Sequence, residues 1–131
     1  MSGSPLAGRR ILIVDDDPDI LEGMALSFRG VGAVVETRSD GEAAWQAMMD
    51  SQPELVVLDM MLPRASGLLL LDRLQEFARR PPIIMVTANQ GRRHQAYAKA
   101  LGVEGYLIKP VPLERLLDLA GSLLAPPSAA D

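Results

Sequence analysis

Short apolar runs alternate with longer amphipathic stretches along the whole chain. Residues 55–58, Leu-Val-Val-Leu, have no polar break before Asp59. A short continuous apolar run bounded by turn signals reads as a strand buried on both faces. Residues 11–14 and 83–86 have the same character and stop at Asp15-Asp16 and at Thr87. Residues 33–37 contain Glu36 and Thr37, so this more polar strand suits a sheet edge. Residues 105–108 complete the set and stop at Lys109-Pro110.

Helical spacing fills the intervals. Asp17-Pro18 sets a capping carboxylate before a proline at the first helical position. Ile20, Leu21, Met24, Ala25 and Phe28 then recur at a helical period until Gly30 and Gly32 stop it. Ser39-Asp40-Gly41 opens a second helix, with Ala44, Trp45 and Met48 read as core and Pro53 as the close. Ser66-Gly67 opens a third, carrying Leu68, Leu70, Leu71 and Leu74, and Pro81-Pro82 breaks it. Leu69 is left for the solvent side of that helix. A polar helix over residues 92–101 stops at Gly102, and its one histidine, His94, reads as solvated, as do Arg92 and Arg93. Leu113, Leu116, Leu117, Ala120 and Leu124 form the stripe of a last amphipathic helix.

Strand followed by helix, repeated, predicts an α/β fold with a parallel sheet covered on both faces. Right-handed crossovers leave few arrangements. For this chain the expectation is a flavodoxin-like (βα)5 three-layer sandwich whose five-stranded parallel sheet has the order 2-1-3-4-5. One domain spans residues 10–124. Residues 1–9 are expected to be a flexible N-terminal arm, and 125–131 a C-terminal tail or the start of a linker.

Composition narrows the function classes. The chain has 131 residues, 48% of them hydrophobic, which suits one full-sized core and argues against disorder. Net charge is −4, and basic residues cluster only as the pairs Arg9-Arg10, Arg79-Arg80 and Arg92-Arg93. Direct nucleic-acid binding is therefore not expected. The absence of cysteine excludes a disulfide framework and a thiolate metal site. No apolar run approaches a membrane span, and the first apolar run is too short for a signal peptide and leads into acid. A cytoplasmic protein without a membrane partner is the expectation.

The chemistry collects where the strands end. Parallel strands bring their carboxyl ends to one edge, the edge at which open α/β sheets bind ligands. The first polar residues past four of them are Asp15-Asp16, Asp59, Thr87 and Lys109. Three carboxylates close together raise one another's pKa and call for a cation. Lys109 supplies one charge, and a hard divalent ion such as Mg²⁺, bound through oxygen, supplies more. A carboxylate can attack phosphorus to give an aspartyl-phosphate. Phosphoryl transfer needs mainly positioning and charge neutralisation, which Lys109 and Thr87 are equipped to give, while Ala88 leaves room for the entering group.

Four segments carry a resemblance. They are Ile-Leu-Ile-Val-Asp-Asp-Asp-Pro at 11–18, Leu-Val-Val-Leu-Asp-Met-Met-Leu-Pro followed by Ser-Gly within 55–67, Ile-Ile-Met-Val-Thr-Ala at 83–88 and Gly-Tyr-Leu-Ile-Lys-Pro at 105–110. In this order and at these strand ends the chain resembles the receiver domain of two-component response regulators, from about residue 10 to 124. The resemblance implies a phosphorylation-dependent signalling switch rather than a turnover enzyme. Asp59 is then the phospho-acceptor. Asp16 ligates Mg²⁺ (or Mn²⁺) directly, Asp15 acts through water, and Asp59 and the backbone carbonyl of Met61 complete the protein's share. Thr87 and Lys109 are the switch hydroxyl and the phosphate-pairing lysine, Tyr106 is the aromatic switch residue, and Lys109-Pro110 is a cis peptide. Implied partners are a sensor histidine kinase or histidine phosphotransfer protein, and an output domain or partner protein reached through the fourth helix, fifth strand and fifth helix. A phosphorylation-dependent dimer is also implied. Glu104-Gly105 departs from the acidic pair of one DNA-binding subfamily, so that subfamily's dimer is not carried over. Met61 and Asn89 stand at positions the resemblance links to phosphoryl lifetime.

Two other classes fit less well. A phosphorylation-independent interaction module would not need the intact acidic pair, Asp59 and Lys109. An aspartate-nucleophile phosphohydrolase usually carries a second aspartate two residues on, where this chain has Met61. A flavin site is weaker still, because no Ser/Thr/Gly-rich phosphate loop follows the first strand.

Overall fold

The computed structural model describes residues 4–88 and 91–125. The order is β1 (Arg10–Val14), α1 (Pro18–Gly30), β2 (Val34–Arg38), α2 (Gly41–Ser51), β3 (Leu55–Asp59), α3 (Gly67–Leu74), β4 (Ile83–Thr87), α4 (Arg92–Ala100), β5 (Gly105–Ile108) and α5 (Leu113–Leu124). All strand pairs are parallel and the sheet order is β2-β1-β3-β4-β5. This is the predicted flavodoxin-like arrangement.

The period of two along a strand sorts the core into two layers. Ile11, Ile13, Leu55, Val57, Ile84 and Val86 face α1 and α5, where they meet Met24, Phe28, Leu116 and Ala120. Leu12, Val14, Val56, Leu58, Ile83 and Met85 face the other way, towards Ala44, Met48, Leu70, Leu71, Leu74 and Ala98 of α2, α3 and α4. Every residue of β3 and β4 is buried, whereas the edge strand β2 is only partly covered. Each fully buried aliphatic or Phe side chain contributes about 1.5–3 kcal/mol, so the central strands are held firmly from both sides.

Helix starts follow the predicted chemistry. Asp17 caps α1 by accepting from the amides of Asp19 and Ile20 at 2.9 and 3.2 Å. Asp40 caps α2 through Ala43 N–H at 2.8 Å, and Ser66 caps α3 through Leu69 N–H at 3.2 Å. Leu69 is 42% exposed, as its place on α3 predicts.

Several local expectations are corrected. Leu6 lies in the stretch expected to be a loose arm, yet it is 1% exposed and belongs to the core under α1 and α5. Its turn is closed by Ala7 N–H to Ser4 O and Arg9 N–H to Leu6 O, both at 3.0 Å. Residues 1–3 and 126–131 of the expected arm and tail lie outside the described residues. The third helix stops at Leu74, well before Pro81. Three successive bonds from residues 75–77 back to the carbonyls three residues earlier tighten the chain there, at 3.1–3.2 Å. Trp45 is half-buried rather than central. Its ring tilts against Phe77, centroids 5.9 Å apart, under the Arg73 guanidinium at 5.5 Å. His94 is half-buried on α4, not fully solvated.

Candidate functional site

The sheet register delivers the predicted polar residues to one edge. Asp15 and Asp16 follow Val14 of β1, Asp59 ends β3, Thr87 ends β4 and Lys109 follows β5. Asp15 and Thr87 are fully buried and Asp59 is 4% exposed, while Asp16 is open to solvent. A carboxylate oxygen from each of Asp15, Asp16 and Asp59 lies within 4.8 Å of the other two. Lys109 reaches in from the far side, its Nζ 2.7 Å from Asp15 Oδ2 and 3.2 Å from Asp59 Oδ2. Its own backbone N–H donates to Thr87 O at 2.9 Å, which ties the lysine to the end of β4. The Lys109-Pro110 peptide is cis, as the resemblance implied.

The loops fix the carboxylates. Asp15 Oδ1 accepts from Asp17 N–H at 2.9 Å, and Asp59 Oδ1 accepts from Met61 N–H at 3.2 Å. Asp15 Oδ2 is buried and faces the Lys109 ammonium at 2.7 Å. Such an oxygen is costly in a dry site and suits a cation ligand. Burial raises the Asp59 carboxyl pKa, and the Asp15 charge adds to that. The Met61 amide and Lys109 pull the other way without cancelling it. Burial would lower the Lys109 pKa, but the two carboxylates outweigh it and hold the ammonium charged. The site therefore sets three carboxylates against its single internal cation. Its donor set, three carboxylates beside the exposed residue Met61, fits a hard divalent ion.

An open cleft over these residues is lined by Asp16, Asp59, Met61, Ala88 and Lys109, with the first turn of α1 as its rim. Ala88 is exposed at that mouth, and its methyl group leaves the opening wide. The family model for the response regulator receiver domain matches residues 11–120. This chain belongs to the response regulator receiver domain family.

The receiver domain's relatives agree. Over 123 residues it is 32% identical to the "Regulator of RpoS" of Escherichia coli, covering 93% of this chain and 36% of that protein. Over 115 residues it is 36% identical to the "Response regulator MprA" of Mycobacterium sp. (strain KMS), covering 88% and 50%. The chain thus spans between a third and a half of the length of these relatives. Among solved structures, the CheY-like response regulator receiver domain protein of Methanospirillum hungatei JF-1 superposes with a TM-score of 0.85 at 27% identity, covering 90% of this receiver domain and 94% of that chain.

Tyr106 is not among the residues that line the cleft. It is half-buried on β5, opposite Met85 in register, and packs against the core beneath α2, α3 and α4. Burial raises its phenol pKa. Asn89 lies outside the described residues. Sequence reasoning passed over Gly67, at which a side chain would overlap the Asp59 carbonyl oxygen. Its only signal was a glycine directly after a capping serine, which reads as a helix start and nothing more.

Proposed function

We propose that this receiver domain is a phosphorylation-controlled switch in which Asp59 accepts the phosphoryl group. The observation that carries the reading is the position of Asp59: buried, 3.2 Å from Lys109 Nζ and within 4.8 Å of Asp15 and Asp16. Asp15, Asp16, Asp59 and the Met61 carbonyl would hold Mg²⁺, with Mn²⁺ as a substitute. The ion supplies charge neutralisation for the phosphoryl oxygens and the surplus carboxylates.

The chain's own groups would do the rest. An Asp59 oxygen forms the new bond to phosphorus as the bond to the donor's leaving group breaks. Met61 N–H and the end of β3 hold the carboxylate aimed into the cleft. Lys109 meets the negative charge gathered on the phosphoryl oxygens. The Thr87 hydroxyl donates to one of those oxygens, and Tyr106 turns inward as Thr87 moves. The signal then reaches the face of α4, β5 and α5. The domain assists its own phosphorylation and dephosphorylation without being a turnover enzyme.

The donor would be a sensor histidine kinase or a histidine phosphotransfer protein in the cytoplasm. Residues 10–124 would form the switch, feeding an output domain or partner and changing its self-association. Among the described residues no helix is long and apolar enough to cross a membrane. Incubation with acetyl phosphate and Mg²⁺, followed by intact mass, tests the reading. A single phosphoryl adduct is expected, lost on chelation and in Asp59→Asn. An adduct that persists in Asp59→Asn would sink it.

A further inference from the structure

The loop that follows Asp59 is held in an unfavourable backbone conformation. Arg64 and Ala65 have φ of 50° and 89°, consecutive left-handed positions occupied by residues other than glycine. Such strain persists only where surrounding structure imposes it, and it collects at functional sites. Here the surrounding structure is the start of α2. Gly41 N–H donates to Pro63 O at 3.0 Å. A methyl group at Gly41 would overlap the Ala65 carbonyl oxygen and lie 2.7 Å from that of Arg64. Asp40, which caps α2, also reaches Arg64 with its second oxygen at 3.7 Å. The far end of the loop is tied as well, since Gly67 N–H donates to Met60 O at 2.9 Å.

Between these ties sits Met61, whose N–H orients Asp59 and whose carbonyl is the fourth proposed ion ligand. We propose that Gly41 is a positioning residue of the phosphoryl-acceptor site. By letting the α2 start close on the carbonyls of residues 63–65, it forces the loop into the shape that aims Met61 at the site. Gly41 touches neither the ion nor the carboxylates and acts only through the loop. The proposal rests on the ion site described above. It makes α2, which contributes no ligand, part of the site's affinity. Binding is then linked back to α2, because coupling between sites is reciprocal.

The first test uses the unaltered chain. Amide NMR spectra are followed through a Mg²⁺ titration. The Gly41 amide is expected to shift along with the Met61 amide and to saturate at the same concentration, while the Gly121 amide in α5 stays still. A Met61 amide that shifts while Gly41 does not overturns the proposal and leaves the ion site standing. If neither moves, the ion site itself fails, and this proposal with it.

The second test is Mg²⁺ binding by calorimetry to Gly41→Ala and to Leu74→Ala, a core truncation at the other end of α3. Gly41→Ala is expected to weaken binding about tenfold, as loss of outer support for a metal ligand does. Leu74→Ala should bind as the wild type does, although it is less stable. Adding Ala65→Gly to Gly41→Ala should restore much of the affinity, because glycine lets the carbonyl swing clear of the new methyl. Equal weakening in Leu74→Ala, or no rescue, would show a general loss of stability and overturn the positioning role. Should Gly41→Ala not fold, the NMR titration still decides.

Discussion

Asp59 carries a charge that the ion-free fold disfavours. Its pKa is raised above the free value of 3.8, first by burial and then by Asp15. The folded chain therefore holds that proton more readily than the unfolded chain, and stability falls as pH rises through the folded value. Asp59→Asn is accordingly expected to raise the ion-free melting temperature at neutral pH. The gain should shrink as pH falls from the folded value towards 3.8, below which the wild-type carboxyl is neutral in both states. Thermal melts in chelator across that range check the sign. Added Mg²⁺ should stabilise the wild type more than Asp59→Asn, because a ligand stabilises the state that binds it.

At the scale of elements, what is legible follows from where the information resides. Residues 55–58 and 83–86 announce buried strands because every position is apolar, and β3 and β4 are buried throughout. Asp15, Asp59, Thr87 and Lys109 are legible as a group because each directly follows or closes an apolar run, and parallel topology then brings them to one edge. Leu6 was not legible. A single leucine among small residues has no period, and its burial depends on the cleft between α1 and α5, which exists only after folding. Leu6→Ala should cost about 3 kcal/mol in urea unfolding, where a loose arm would cost nothing. The early end of α3 was equally hidden, because Phe77 lies beyond the helix end, against Trp45 on α2. The approach of Gly41 to Ala65 is a distance between backbones, and no pattern of residue types encodes it.

For the molecule as a whole, the two halves of the core have different tasks. The α1 and α5 layer gathers Leu6, Phe28 and Leu116 into one side of the sheet, and Arg9 joins Glu54 to the carbonyl of Leu124 at the amino edge. The other layer carries α2, α3 and α4, and Leu62 and Ala65 of the loop after Asp59 pack against it together with Tyr106. The carboxyl edge between them gathers three carboxylates against one ammonium. That imbalance is the physical core of the account, because an entering phosphoryl group needs cations already in place. The site's identity can be read directly by chemical trapping. The chain is treated with acetyl phosphate and Mg²⁺, reduced with borohydride, and digested for peptide mass mapping. Reduction turns an acyl phosphate into an alcohol, so homoserine at position 59, formed only when donor and Mg²⁺ are both present, is the predicted result. Homoserine at Asp15 or Asp16 instead, with Asp59 intact, would contradict it.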